Sequence, residues 1–371
     1  MMKKIYVVIG TRPEAIKMGL LVKHLKQTAG IECTLIVTAQ HRSMLDSALE
    51  IFGITADIDL NLMTKNQTLS NLTTLIIKNL ASIFYKKKPD LVIVQGDTTT
   101  TLASALAAFY QKIPVAHVEA GLRTWDKYSP FPEEINRRLT GEISYYHFAP
   151  TLSNKENLVN ENIPKENIYV TGNTAIDALF YVHTKVKKDP PHIKHLDTVI
   201  LARKYILVTA HRRENFGLNM KEICRSINYI AAKFPDIAVI FPVHKNPNVQ
   251  NVVQKHVNKL PNIHLIPPLN YESFVYLMSN SYLILTDSGG IQEEAPSLGI
   301  PVLVLRDVTE RKEAVKAGTV NLVGTNYNKI IEEAITLITD DSVYQKMASI
   351  QNPYGDGTAT QTIIKILLEK I

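Results

Sequence analysis

The sequence predicts an α/β chain made of two parallel, helix-covered sheets. Two observations carry that expectation. Short apolar runs alternate with amphipathic stretches along nearly all of the 371 residues, and a strand–helix–strand order implies parallel strands with helices on both faces. The pattern also repeats. Leu91–Gln95 leads into Gly96-Asp97, a threonine-rich helix start and Ile113-Pro114-Val115; Leu283–Thr286 leads into Asp287-Ser288-Gly289-Gly290, a helix and Ile300-Pro301-Val302. At about 150 residues per domain, the length holds two or three domains. The expected division is a Rossmann-like domain over 1–170, a second over 171–356, and a closing segment, 357–371, that packs back onto the first.

In the first half, Ile5–Ile9 reads as a buried strand, and Met18, Leu21, Val22 and Leu25 then recur at helical spacing. Thr34–Thr38, Leu91–Gln95 and Val115–Val118 repeat the strand signal. A polar stretch follows from Thr151 to Asn167, and Lys185–Thr198 reads as a surface excursion. The second series of strands is Tyr205–Thr209, Ala238–Pro242, Ile263–Ile266, Leu283–Thr286 and Val302–Leu305. Near the end, Asn352-Pro353-Tyr354-Gly355-Asp356-Gly357 breaks one helix and permits a last one, Ala359 to Lys370.

Composition narrows the function classes. With 45% hydrophobic and 20% charged residues the domains can bury sizeable cores, which argues against disorder. The net charge of +6 is modest; it suits a polyanionic small molecule and lacks the basic stripe of a nucleic-acid binder. Lys86-Lys87-Lys88 reads as a solvated helix end. Two cysteines, Cys33 and Cys224, cannot frame a disulfide network or a four-ligand zinc site, and read as reduced thiols in a cytoplasmic protein. The apolar run after Met1-Met2-Lys3-Lys4 stops at Gly10, short of a signal-peptide core of about 7–15 residues. No stretch reaches the roughly 18 apolar residues of a membrane span.

The candidate chemistry lies where strands end. Gly10-Thr11-Arg12-Pro13-Glu14 opens a helix whose free N–H groups favour an anion, with Arg12 and Lys17 adding charge; a plain turn with an Arg12–Glu14 pair is the competing view. Asp97 either caps the threonine-rich helix or stands at the strand end as a catalytic carboxylate. His117 and Glu119 share one face of a strand, but no further metal ligands stand at the needed spacing, so no metal is expected and His117 reads as a buried, satisfied imidazole. Glu133 and Glu134 sit about 100° apart on a helix and can equally form i,i+4 pairs with Arg137 and Arg138. His211-Arg212-Arg213 follows a second-half strand and suits an anion or leaving group, or else a solvated loop. The Ser288-Gly289-Gly290 helix start suits a diphosphate and Glu294 a ribose, yet no Gly-x-Gly-x-x-Gly spacing appears in either half, so no dinucleotide cofactor is expected.

Together these motifs resemble the non-hydrolysing UDP-N-acetylglucosamine 2-epimerase family over essentially the whole chain. The segments that carry the resemblance are GTRPEAIKM (10–18), TAQHR (38–42), GDTTTT (96–101), HVEAGLRT (117–124), SPFPEE (129–134), HRREN (211–215), TDSGGIQEEAPSL (286–298), TER (309–311) and NPYGDG (352–357). The resemblance implies a GT-B-like fold, a homodimer, an active site in the cleft, and reversible interconversion of UDP-GlcNAc and UDP-ManNAc for envelope or capsule polysaccharide. It makes Asp97, Glu119 and Glu133 the acid/base carboxylates. Arg12, Lys17 and His211 would hold or protonate the departing diphosphate; Ser288, Gly289 and Gly290 would contact phosphate, Glu294 the ribose and Phe274 the uracil, with Arg311 lining the same pocket. A second UDP-GlcNAc acting as activator would use Gln40, His41, Arg212 and His244, while Ser43 and Asn66 depart from the residues found in some activated members. A hydrolysing epimerase, a GT-B glycosyltransferase and a nucleotide-sugar sensor are the alternatives.

Overall fold

The computed structural model describes residues 2–38, 42–64 and 67–371. The chain forms two compact units, Met1–Phe180 with Tyr354–Ile371, and Tyr181–Pro353. The first carries strands β1 (Lys3–Ile9), β2 (Ile31–Val37), β3 (Ile58–Asp59), β4 (Leu91–Gln95), β5 (Val115–Val118), β6 (Tyr146–Ala149) and β7 (Ile168–Val170) in the order β3-β2-β1-β4-β5-β6-β7. The second carries β8 (Tyr205–Thr209), β9 (Ala238–Pro242), β10 (Ile263–Ile266), β11 (Leu283–Thr286), β12 (Val302–Val304) and β13 (Val320–Leu322) in the order β10-β9-β8-β11-β12-β13. Central pairs such as β1 with β4 and β8 with β11 are parallel. Each unit is therefore doubly wound, and the winding reverses between β1 and β4 and between β8 and β11, where such sheets bind ligands.

Most strands stand where the apolar runs predict them, because parallel strands covered on both faces read as continuous hydrophobic segments. The short strands β3, β6, β7 and β13 were not expected; two to four residues each leave too little period to see. The polar stretch after β6 contains a helix, Leu152–Asn160, capped by the Thr151 hydroxyl accepting from Asn154 N at 3.2 Å. Nor is Lys185–Thr198 wholly superficial, since Ile193 and Leu196 are buried. In the first unit Tyr6, Val8, Ile76, Leu80, Val92 and Val94 belong to one apolar cluster; in the second, Ile206, Val208, Val239, Phe241 and Leu285 belong to another.

The first unit runs on through Phe180, past the boundary expected after residue 170. The helix Thr174–Lys188 carries the buried Asp177, whose carboxylate accepts Thr360 N at 2.6 Å and Ala359 N at 3.2 Å. Those are orphan N–H groups of the last helix, Ala359–Lys370. Tyr146 adds a bond from its hydroxyl to Lys370 O at 3.1 Å. The C-terminal helix thus returns to the first unit, as the sequence predicts.

Tight packing at the reversal point leaves no room for a side chain at Gly10. A Cβ there would lie 2.2 Å from Thr100 Oγ1 and 2.6 Å from Thr38 Oγ1. Gly10→Ala should therefore destabilise the protein by about 1–3 kcal/mol, read as a lower thermal midpoint; an unchanged midpoint would mean that the two turns do not pack this closely.

Candidate active site

In the first unit a single carboxylate organises the reversal point. Thr11 caps the helix Arg12–Gln27 in a reciprocal capping box with Glu14. Glu14, fully buried, accepts from Gly10 N at 3.1 Å, Thr11 N at 2.7 Å and the Thr11 hydroxyl at 2.7 Å. Its other oxygen accepts the hydroxyls of Thr98 at 2.9 Å and Thr101 at 3.3 Å. This corrects two expectations. The N–H groups of Gly10 and Thr11 are not open to an external anion, because the chain's own carboxylate fills them. The capping alternative for Asp97 falls as well: Thr98 caps the helix Thr99–Tyr110, and Thr100 bonds Thr38 at 3.0 Å. Arg12 is half-buried and pairs with no carboxylate among the described residues.

Freed from capping, Asp97 is held by Arg137 through an ion pair, while Asn136 Nδ2 bonds its carbonyl at 2.9 Å. Both partners come from the helix Glu133–Ile143, so Glu133 opens the helix that buttresses Asp97. The expected i,i+4 pairs do not form. Arg137 turns to Asp97, Arg138 turns to Glu161, and Glu134, fully buried, accepts the backbone N–H groups of Thr124 at 3.0 Å and Trp125 at 3.2 Å. Among the described residues Glu133 has no ion-pair partner, and it is half-buried.

Glu119 follows β5 with φ +65°, a left-handed conformation that a Glu rarely adopts. Lys17 Nζ reaches its two carboxylate oxygens at 2.7 and 2.6 Å, and Gln95 Nε2 bonds the same group. Lys17, expected beside a diphosphate, therefore stands on a carboxylate. Asp97, Glu119 and Glu133 thus come from the carboxyl ends of the paired strands β4 and β5 and from the helix start bound to them.

His117 lies beneath this group. Its Nε2 is 2.7 Å from Gly96 O, which makes Nε2 the protonated nitrogen, and its Nδ1 is buried without a partner. Burial pushes its pKa down to about 3, and that of His147, its register partner on β6, down to about 4. The expected buried imidazole is satisfied on one side only.

The second unit repeats the arrangement with another buried carboxylate. Asp287, fully buried after β11, accepts on Oδ2 from His211 N at 2.8 Å, Arg212 N at 2.8 Å and Asn215 Nδ2 at 3.0 Å. The His211 ring stacks on His244, centroids 5.6 Å apart at 20°. Burial lowers the His211 pKa, Asp287 opposes that, and His244 and Arg212 add to it. Ser288 N donates to Thr286 Oγ1 at 2.9 Å, so only its hydroxyl remains for a phosphate. Gly289 is required by Arg311, whose guanidinium carbon would be 2.8 Å from a Cβ there, whereas a Cβ at Gly290 would meet nothing within 4 Å. Arg311 itself is engaged by Glu293, Nε to Oε1 at 2.9 Å, and by Glu310. Against its burial, Arg311, Arg306 and Arg212 hold the Glu310 carboxyl down at about 2. Glu294 accepts the Tyr271 hydroxyl at 3.0 Å, and Phe274 lies half-buried on the same helix, Tyr271–Ser279. Gln40, His41 and Asn66 lie outside the described residues, as does the side chain of Ser43.

A family model described as UDP-N-acetylglucosamine 2-epimerase matches residues 23–368. The chain belongs to that family. A UDP-N-acetylglucosamine 2-epimerase of Yersinia pestis is 53% identical over 371 residues, 98% of each chain. The crystal structure of a Neisseria meningitidis UDP-GlcNAc 2-epimerase bound to UDP-GlcNAc is 52% identical with a TM-score of 0.89, covering 99% of this chain and 100% of that one. A Methanocaldococcus jannaschii enzyme, solved with UDP-GlcNAc and UDP, is 36% identical at a TM-score of 0.80 and 99% coverage of both. The two-domain GT-B-like architecture is thus that of the epimerase family.

Four residues that hold candidate groups were not singled out in the sequence: Gln95 and Arg137 in the first unit, Asp287 and Glu310 in the second. Asp287 and Glu310 lie inside the motifs TDSGGIQEEAPSL and TER, and Arg137 was noted only at its spacing from Glu133, which pointed to the wrong partner. No helix among the described residues is long and apolar enough to cross a membrane.

The two depressed imidazoles set a pH dependence. A histidine whose folded pKa lies below its ordinary value of 6.5 adds stability above that value and loses it as pH falls toward the folded value. Between about pH 6.5 and pH 4, each of His117 and His147 should cut the unfolding free energy by about 1.4 kcal/mol per pH unit. Denaturant titrations across that range should steepen accordingly, and His147→Gln should remove about one proton from the slope. An unchanged slope in the variant would mean that His147 titrates normally when folded.

Proposed function

We propose that this chain epimerises UDP-GlcNAc at C2, reversibly, to UDP-ManNAc, without hydrolysis and without a redox cofactor. Family membership supplies the substrate class. The chemistry is supported by Asp97 and Glu119 at the ends of the paired strands β4 and β5, with Glu133 opening the helix whose Asn136 and Arg137 bind Asp97. The C2 hydrogen is not α to a carbonyl, so direct deprotonation is too difficult. Breaking the anomeric C–O bond first sends its electrons to the diphosphate, gives C1 oxocarbenium character and makes the C2 proton acidic. A carboxylate then takes that proton, leaving 2-acetamidoglucal and UDP; a proton delivered to the opposite face of C2 and return of UDP to C1 give the epimer.

In this reading two of the three carboxylates serve the two faces of C2, and Arg12 with His211 meets the departing diphosphate. Lys17 orients Glu119. Ser288 and Gly290 contact phosphate, Glu294 the ribose and Phe274 the uracil, while Arg311 braces the glycine turn over Gly289. Arg212 and His244 are proposed to meet a second UDP-GlcNAc acting as activator. Phe109, Tyr110 and Tyr145 are exposed at helix ends of the first unit, and a homodimer would cover such surface. The product fits supply of ManNAc units to envelope or capsule polysaccharide in the cytoplasm.

Proton NMR with UDP-GlcNAc in D2O, without added NAD or metal, should show UDP-ManNAc carrying deuterium at C2 and no accumulating free sugar. Free ManNAc with UDP would make the enzyme hydrolytic, and absence of turnover would overturn the catalytic reading. Asp97→Asn and Glu133→Gln should each lower kcat by about 10²–10⁴-fold while UDP affinity stays within about threefold. A variant that keeps kcat would remove its residue from the acid/base set.

A further inference from the structure

The second unit's buried carboxylate has one oxygen unspent. Asp287 Oδ2 takes three N–H donors, from His211 N, Arg212 N and Asn215 Nδ2. Oδ1 is buried with no hydrogen bond, and it lies 3.4 Å from His211 Nδ1. A bare, buried carboxylate oxygen is costly, and the group placed to relieve it is the imidazole. The Asp287 side chain is 0% exposed, while that of His211 is 39% exposed, so the ring meets a buried carboxylate at its Nδ1 edge and keeps part of its surface open. His244, at the end of β9, stacks on one face and limits rotation of the ring. The charged or titratable groups facing the imidazole are Asp287, His244 and Arg212.

We infer that Asp287 is the positioning residue for His211: its Oδ1 holds the ring's Nδ1–H and so turns Nε2 outward, toward the anionic leaving group. The outward direction rests on the proposed epimerase reading; the Asp287–His211 pairing does not. When the ring carries two protons beside a diphosphate, Asp287 stabilises the imidazolium and Nε2–H faces the departing phosphate oxygen. The pair works as a carboxylate works on an imidazole in other sites, by tautomer and orientation rather than by taking the proton.

Asp287→Asn tests this sharply. Three N–H donors demand an oxygen at the Oδ2 position, so the new amide nitrogen must occupy the Oδ1 position and point its N–H at Nδ1. That turns Nδ1 into an acceptor and forces the proton onto Nε2. Nitrogen NMR of the ligand-free protein at near-neutral pH, with His211 assigned by difference against His211→Gln, should find Nδ1–H in the wild type and Nε2–H in Asp287→Asn. The variant should also lose about 100-fold or more in kcat, with UDP affinity within about threefold. A wild-type ring protonated on Nε2 would overturn the inference whether or not the variant folds. So would an Asp287→Asn protein with the tautomer unmoved or kcat within threefold. If the wild type shows no C2 exchange, the epimerase reading fails, while the wild-type tautomer still decides the pairing.

Discussion

A buried carboxylate at each point where the sheet winding reverses is the interaction on which the rest of this protein depends. Glu14 joins the turn after β1 to the helix start after β4 by accepting from Gly10, Thr11, Thr98 and Thr101. Asp287 joins the end of β11 to the turn after β8 through His211, Arg212 and Asn215. Burying a carboxyl group is tolerable only where several donors converge, and those donors are backbone, hydroxyl and amide groups of the turns and helix starts that carry the candidate chemistry. Each turn is therefore fixed before any ligand arrives, which is the condition for electrostatic stabilisation without reorganisation.

The groups set on these joints are arranged at a cost to stability. Glu119 keeps a left-handed backbone, worth about 1–3 kcal/mol of strain in general, and it is pinned by Lys17 and Gln95. His117 is held neutral beneath the Gly96-Asp97 turn with one nitrogen unsatisfied. Arg137 is nearly buried between Asp97 and Glu134, and its Nε has no partner among the described residues. Strain, a neutral buried histidine and a part-satisfied arginine all lie at the ends of β4 and β5 that carry Asp97 and Glu119, as expected where local stability has been exchanged for a fixed geometry.

Much of the architecture was legible because its signal is local. Continuous apolar runs mark β4, β5, β8, β9, β10 and β11 at the residues where they stand, and the echo between the two halves foretold a shared winding. The very short strands carried no such signal. In the site, positions at strand ends were legible and partners were not. Asp97 was open between cap and catalyst until Thr98 took the cap. Glu133 and Glu134 had ideal spacing for i,i+4 ion pairs, yet Arg137 reaches Asp97 and, at i,i+3, Glu134, while Arg138 faces Glu161. Spacing along a helix says which groups can meet, and the competing acceptors 40 residues away, as Asp97 is from Arg137, are invisible to it.

The amino-acid sequence by itself therefore determined two parallel α/β units and the strand ends at which the candidate residues stand, since period and turn residues act over a few positions. The return of the last helix rests on tertiary bonds such as Thr360 N to Asp177. Tertiary structure alone decided that Lys17 meets Glu119 across 102 residues and that Asp287 meets His211 across 76. The reason is geometric. Parallel strands bring the ends of distant segments side by side, and which donor then satisfies which buried carboxylate depends on the register and packing of whole sheets.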